Sequence, residues 1–342
     1  FWLKFLESLA VPNQNLLIVY DRTQRSTMFA GAIAVLVALL STHASALVST
    51  PSNSGSLLML REGDDSDIAS LALESEALSS VLLEAAASLP SGTTQDFLQS
   101  LEICGACNHF ERYGEKHDGG YLMCMDQYSG KHPAVQAAYS MGVEHHDKWS
   151  EHVASRLNLP VYQFDCTVKT APQGCSNCHF FSKCIKSSDG HDDSFPGRSW
   201  SMKEVLENTG MADAGNRTLL MKMDIEAAEW AIFESEDPNL LRKFEQIVVE
   251  FHRLRDDSRH SQYLRALQTI LSAGFKVAHL HGNNYEGMYR VGSYSVPNVL
   301  EVTFTSGVAR PICMKKQEYK LGLDMINTHG ATDAELPMAS LP

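Results

Sequence analysis

The sequence predicts an α/β protein: a largely parallel sheet wrapped by helices. Three observations carry that prediction. Short apolar runs alternate with amphipathic helical stretches from about Leu101 to Lys320. A composition of 44% hydrophobic and 20% charged residues supplies a core and excludes wholesale disorder. Several of the apolar runs end in a glycine or a carboxylate, at the edge where such sheets bind ligands.

The elements follow in order. Ala137 to Val143 reads as a buried strand ending at Gly142. Lys148 to Leu157 is helical, with Trp149, Val153 and Leu157 on one face. Val161 to Asp165 is a second strand, closing on a carboxylate. Ser201-Met202-Lys203-Glu204 is a capping box opening a helix to Thr209. Thr218 to Asp224 is a strand, and a helix holding Glu229, Trp230 and Phe233 follows it. Gln246 to Glu250 is the next strand, and Tyr263 to Ala273 a helix closed by Gly274. Phe275 to Leu280 and Val299 to Thr305 complete the strands.

Around this unit (residues 101–320) the 342 residues divide into a leader (1–46), an acidic linker with one amphipathic helix (47–100) and a C-terminal tail (321–342) expected to fray. Met28 to Leu40 is uncharged and apolar, Arg22 and Arg25 precede it, and Ala44-Ser45-Ala46 has the form of a secretory cleavage site. Read to Val48, the same stretch comes close to the length a retained membrane anchor needs. A buried core helix is the bland alternative. The expected location is the secretory pathway, as a secreted or single-pass protein of the Golgi or ER.

The net charge of −13 argues against nucleic acid as a partner, since no dense Lys/Arg run opposes it. Nine of those charges lie between Glu62 and Glu102, where Ile68, Leu71, Leu78, Leu82, Ala85 and Leu89 recur at helical spacing. The eight cysteines have two readings. Cys104 and Cys107 with Cys175, Cys178 and Cys184 have zinc-ligand spacing; an oxidising route favours disulfides, whose pairing sequence does not reveal. Residues 169–198, holding three of these cysteines with His179, His191, Asp192 and Asp193, form a long insertion expected to act as a lid. Asn216-Arg217-Thr218 is a glycosylation sequon whose occupancy stays open, because Thr218 begins a strand.

Candidate site residues stand at the strand ends. Gly142 is small enough for backbone to approach a ligand, and Glu144 lies just beyond it. Asp165, about twenty residues on, is placed to accept both hydroxyls of a ribose. Asp224 and Glu226 follow one strand, Glu250 and His252 the next. His252 is the first candidate general base, because an unperturbed imidazole titrates near neutrality. Asp224 and Glu226 are placed to orient an acceptor, or with Glu250 to hold a hard cation or cap a helix. No metal is expected. His281, Asn283 and Asn284 read either as a polar wall over the acceptor or as a turn.

These residues carry a resemblance. Tyr139 to Val143, Trp149-Ser150-Glu151, Val161 to Thr167, the stretch Met221-Lys222-Met223-Asp224-Ile225-Glu226-Ala227-Ala228-Glu229-Trp230, and Gln246 to His252 resemble the methyltransferase-like family related to FkbM-type enzymes. Asp118 to Tyr121, His281 to Asn284 and Pro297 to Phe304 also look familial, so the likeness spans roughly Cys104 to Phe304. It implies a Rossmann-like seven-stranded class I methyltransferase sheet, S-adenosyl-L-methionine as cofactor, Gly142 and Glu144 near its methionine end, and Asp165 on its ribose. Ala227 stands where the family has glycine. The acceptor is left open among glycan, protein and small molecule. Two other readings remain: a Golgi-type glycosyltransferase using Asp224-x-Glu226 as a metal motif, and an inactive binding module on the same fold.

Overall fold

The computed structural model describes residues 46–48, 58–60, 92–126, 135–190, 195–291, 294–314, 322–334 and 336. The leader up to Ser45, the helix expected over Ile68 to Leu89, and His191, Asp192 and Asp193 lie outside the described residues. No helix among the described residues is long and apolar enough to cross a membrane. The chain forms two units, residues 1–86 and 87–342. In the first, β1 (Ala46–Val48) pairs antiparallel with β2 (Leu58–Leu60).

The second unit opens with α1 (Gly92–Gln99), β3 (Ile103–Gly105), β4 (Phe110–Gly114), β5 (Gly120–Cys124), β6 (Ala137–Met141), α2 (Lys148–Arg156) and β7 (Val161–Phe164). Then come β8 (Cys178–Phe181), β9 (Cys184–Ile185), β10 (Ser199–Trp200), α3 (Met202–Asn208), β11 (Leu219–Met223), α4 (Glu229–Ser235) and α5 (Pro238–Leu241). It closes with β12 (Phe244–Phe251), α6 (His260–Ser272), β13 (Lys276–Val291), β14 (Tyr294–Thr305) and β15 (Ala309–Met314). A seven-stranded sheet has the order β13-β14-β12-β11-β6-β7-β8. The strands from β12 to β8 run parallel, and β14 runs antiparallel to both its neighbours. The predicted α/β class is therefore present, as a mostly parallel sheet flanked by helices and compatible with a Rossmann-like arrangement.

Side-chain alternation explains why these runs became central strands. Successive residues of a strand face opposite sides. Ala137, Tyr139 and Met141 of β6 join Leu219, Met221 and Met223 of β11 and Ile247, Val249 and Phe251 of β12 in one core, with Phe97, Trp230, Phe233 and Tyr263. Ala138, Leu220 and Val248 enter a second core on the other face, with Trp149, Val153, Tyr113 and Tyr121. Both faces are covered, so the strands read as nearly continuous apolar runs. Trp230 anchors the first core: its indole stacks on Phe251 and Tyr263, with centroids 3.9 and 4.1 Å away. The capping box forms as the sequence predicts, with Ser201 and Glu204 bonding reciprocally.

Four boundaries differ from the sequence reading. First, the folded unit begins before residue 101: Phe97 and Leu98 of α1 are core residues, and Thr94 meets His260. Second, in its described part the long insertion is not a lid. It supplies the sheet's edge strand β8, and β9 pairs with β10. Third, β13 runs on through Gly282-Asn283-Asn284, so these residues are strand and not a turn. Fourth, in its described part the tail packs instead of fraying. Asn327, Ala334 and Leu336 are buried, and Ala334 bridges to Gly282.

All eight cysteines pair: Cys104 with Cys313, Cys107 with Cys124, Cys166 with Cys184 and Cys175 with Cys178. This overturns the zinc reading, because thiolates are the metal ligands and none remains. Four disulfides place the folded unit in an extracellular or secretory-lumen setting.

Candidate functional site

From β6 the chain builds β7 and β8 on one side of β6, then returns to lay β11 on the other. The order reverses there, and ligands of open α/β sheets bind at the carboxyl ends of the strands beside such a reversal. All six predicted site residues stand at that edge, in two groups.

The first group is the loop after β6. Gly142 has φ +77°, and a Cβ built on it lies 1.6 Å from the Asp224 carbonyl oxygen. The glycine is thus required by the close approach of β6 to the end of β11. Asp165 accepts four hydrogen bonds. Val143 N and Glu144 N donate to Oδ2 at 3.1 and 3.0 Å, and Thr167 N and Oγ1 donate to Oδ1 at 2.7 and 2.6 Å. Burial pushes this carboxyl up, but the donations from Thr167, Glu144 and Val143 prevail and hold it below its ordinary value. Asp165 therefore closes the loop. Glu144 is exposed, at φ +45°.

The second group gathers where β11 and β12 end. His252 leaves β12 with its backbone oxygen accepting from Trp230 Nε1 at 2.7 Å, so the core tryptophan fixes its place. Its Nδ1 meets Glu229 Oε1 at 3.2 Å. Its Nε2 faces Glu250, Glu226 and Asp224 at 3.4, 3.7 and 3.9 Å. Burial opposes the charged ring, but Glu229 and Glu250 outweigh it and push His252 up to about 11. The surrounding carboxylates thus favour the charged imidazolium, the form that must lose its proton before the ring can act as the general base the sequence predicts.

Glu229 does more than pair with His252. Fully buried, it accepts from Ile225 N at 2.8 Å and from Ala227 N at 3.0 Å. It thereby holds Glu226 and Ala227 at φ +61° and +88°, a backbone region that costs non-glycine residues energy. The glycine expected at 227 is thus a conformational preference, met here by strained alanine. Asp224 accepts from Tyr121 Oη at 2.9 Å and lies 3.2 Å from Lys222 Nζ, which donates to Gly142 O at 2.6 Å. Lys222 so ties the two groups together. Burial alone lowers this ammonium, and Asp224 and Asp147 reverse that and raise it.

The polar zone continues beneath hairpin β4–β5. Burial and the neighbouring Asp224 push Glu250 up to about 8. Asn283 Nδ2 donates to Asp118 at 3.0 Å and reaches Glu250 at 3.4 Å; Asn327 Nδ2 donates to Glu301 at 2.6 Å. His281 Nδ1 lies 3.1 Å from Glu301; burial lowers this ring, but Glu301 prevails and raises it to about 9. Two sets of carboxylate and imidazole atoms fall within 4.8 Å of one another and could hold a metal ion: Asp224, Glu226 and His252, and Asp118, Glu250 and Glu301.

The chain matches no protein-family model and no curated protein. Sequence reasoning overlooked Lys222, Glu229, Glu301, Asp324, Asn327 and Asp333 as site-lining groups. Period-two spacing of His279, His281 and Asn283 was the available signal for a polar strand face. Nothing local marked the tail residues, whose partners lie across the fold: Asp324 meets His279 at 3.0 Å, and Asp333 lies 3.5 Å from His281.

Proposed function

We propose that the folded unit is an S-adenosyl-L-methionine-dependent methyltransferase of the secretory pathway, in the Golgi or ER lumen or beyond it. The acceptor is a glycan, protein or small molecule. The observation that carries this reading is the strand order: seven strands, a reversal between β6 and β11, and one antiparallel strand next to the edge. That order agrees with the sheet implied by the resemblance. The donor set also suits a cation such as a sulfonium, since Glu144, Glu226 and Asp224 lie at one edge, and Glu144 and Asp224 both bear on Glu226 electrostatically. Asp165 reaches a ribose only by giving up a bond to its own loop.

When bound, the cofactor supplies an already activated methyl group, so the protein's work is alignment and exclusion of water. Lys222 and Gly142 fix the floor between the two groups. Glu226, with its side chain 85% exposed beside His252, is the carboxylate an incoming acceptor meets. Partial desolvation of its carboxyl and the neighbouring Asp224, Glu229 and Glu144 outweigh His252 and raise Glu226 above its ordinary value, which brings it nearer to useful proton acceptance. The base in this reading is a carboxylate. A lumenal enzyme also requires import of a donor made in the cytosol.

The grouping of Asp224 and Glu226, joined by His252 once a cation displaces its proton, favours a second reading, a glycosyltransferase gripping a sugar nucleotide through a divalent cation. Thermal melting separates the two. Stabilisation by S-adenosyl-L-methionine alone, about 2.7 kcal/mol at a hundredfold excess over Kd, is the expected result. A response only to sugar nucleotide with manganese sinks the methyltransferase reading. Cofactor binding with no transfer to any acceptor leaves a binding module.

A further inference from the structure

The Asn216 sequon lies outside everything assigned above. Residues 215–218 form the turn entering β11, and Asn216 is exposed on it. The turn is firmly built. Thr218 Oγ1 donates to Gly215 O at 2.8 Å, and Thr218 N to Lys243 O at 2.8 Å. Arg217 stands at φ +60°, with its guanidinium donating to Phe244 O at 2.8 Å and Ala273 O at 2.5 Å and lying over the Phe275 ring at 4.5 Å. Arg217 and Thr218 thus face the protein while Asn216 stands in solvent. The position after Asn216 is not proline, and the four disulfides give the compartment where such sequons are modified.

We infer that Asn216 carries an N-linked oligosaccharide at the amino-terminal edge of the sheet. Its donor is a lipid diphosphate-linked oligosaccharide. A bond forms between Asn216 Nδ2 and the anomeric carbon, the sugar–phosphate bond breaks, the lipid diphosphate leaves, and Nδ2 gives up one proton. The location has a consequence. Strand β11 runs from this turn to Asp224, roughly 17 Å at the rise of a parallel strand. The glycan therefore projects from the edge opposite the candidate site and leaves it open. This inference does not rest on the methyltransferase reading.

The test is expression of the full chain in eukaryotic secretory cells, with an amidase that cleaves N-glycans and peptide mass mapping. The wild-type chain is expected to drop in mass on amidase treatment, with residue 216 converted to Asp. Thr218→Ser keeps the shift; Thr218→Ala and Asn216→Gln abolish it. The conservative Thr218→Ser variant guards against misfolding as the cause. An unmodified Asn216 in a lumenal, fully oxidised chain overturns the inference, and so does a wild-type chain recovered reduced from the cytosol.

Discussion

Two carboxylate-bearing regions share one edge of the sheet and are neutralised in opposite ways. Asp165 is surrounded by backbone N–H groups and a hydroxyl. The carboxylates around His252 face one another and are balanced by His252, His281 and Lys222. Donors that never titrate favour the anionic form of Asp165. Cations and crowded acids make the second region a store of protons, with Glu250 raised to about 8 and His281 to about 9. The lesson is that a carboxylate at a strand end reveals its task through its neighbours. One of these regions holds a loop in shape, and the other crowds titratable groups against one another.

Removing Glu229 tests the comparison hardest. Glu229→Ala strips two backbone donors and a buried imidazolium of their partner, and a loss of about 3–5 kcal/mol is expected in denaturant unfolding. A loss below about 1 kcal/mol on the same scale would mean that the second region is not organised around this residue.

The pH limbs come next. His252 and His281 have folded values above the ordinary 6.5, so their stabilisation is complete below that pH and is lost as pH rises through about 9 and then 11. Glu250, raised from 4.5 to about 8, loses in the same direction. Asp165 is lowered from 3.8, so its contribution is present above that pH and lost below it. Stability profiles should therefore fall at both ends. His281→Asn should flatten the alkaline limb by up to about 1.4 kcal/mol per pH unit, and Asp165→Asn only the acid limb. If both variants moved the same limb, the distinction between the regions would be lost.

Ala227→Gly relieves the left-handed backbone and should raise stability by about 1 kcal/mol in the same measurement. The smallest effect belongs to Glu226→Gln, a change within about 0.5 kcal/mol because the side chain is exposed. If the proposed function holds, that quiet substitution still lowers turnover.

Much of the sheet was legible because central strands covered on both faces leave continuous apolar runs: Ala137 to Met141, Leu219 to Met223 and Phe244 to Phe251. β8 was not, since an edge strand of Cys-His-Phe-Phe inside a cysteine-rich stretch lacks that signal. The positions of Gly142, Asp165, Asp224 and His252 at one edge were also readable, because strand ends are. Their roles were not. Gly142 answers to a carbonyl delivered by β11, and the protonation of His252 depends on Glu229 and Glu250, carboxylates from two separate segments. The packing of Asn327 and Asp324 against β13 and β14 likewise depends on contacts remote in sequence.

The bond between Cys104 in β3 and Cys313 in β15 spans 209 residues and encloses the other three cystines within its ring. A protease that nicks this ring once releases no fragment: the severed strands stay one molecule until a reductant is added. Clipped and intact material would co-purify and migrate together on a non-reducing gel, and only reduction would part them.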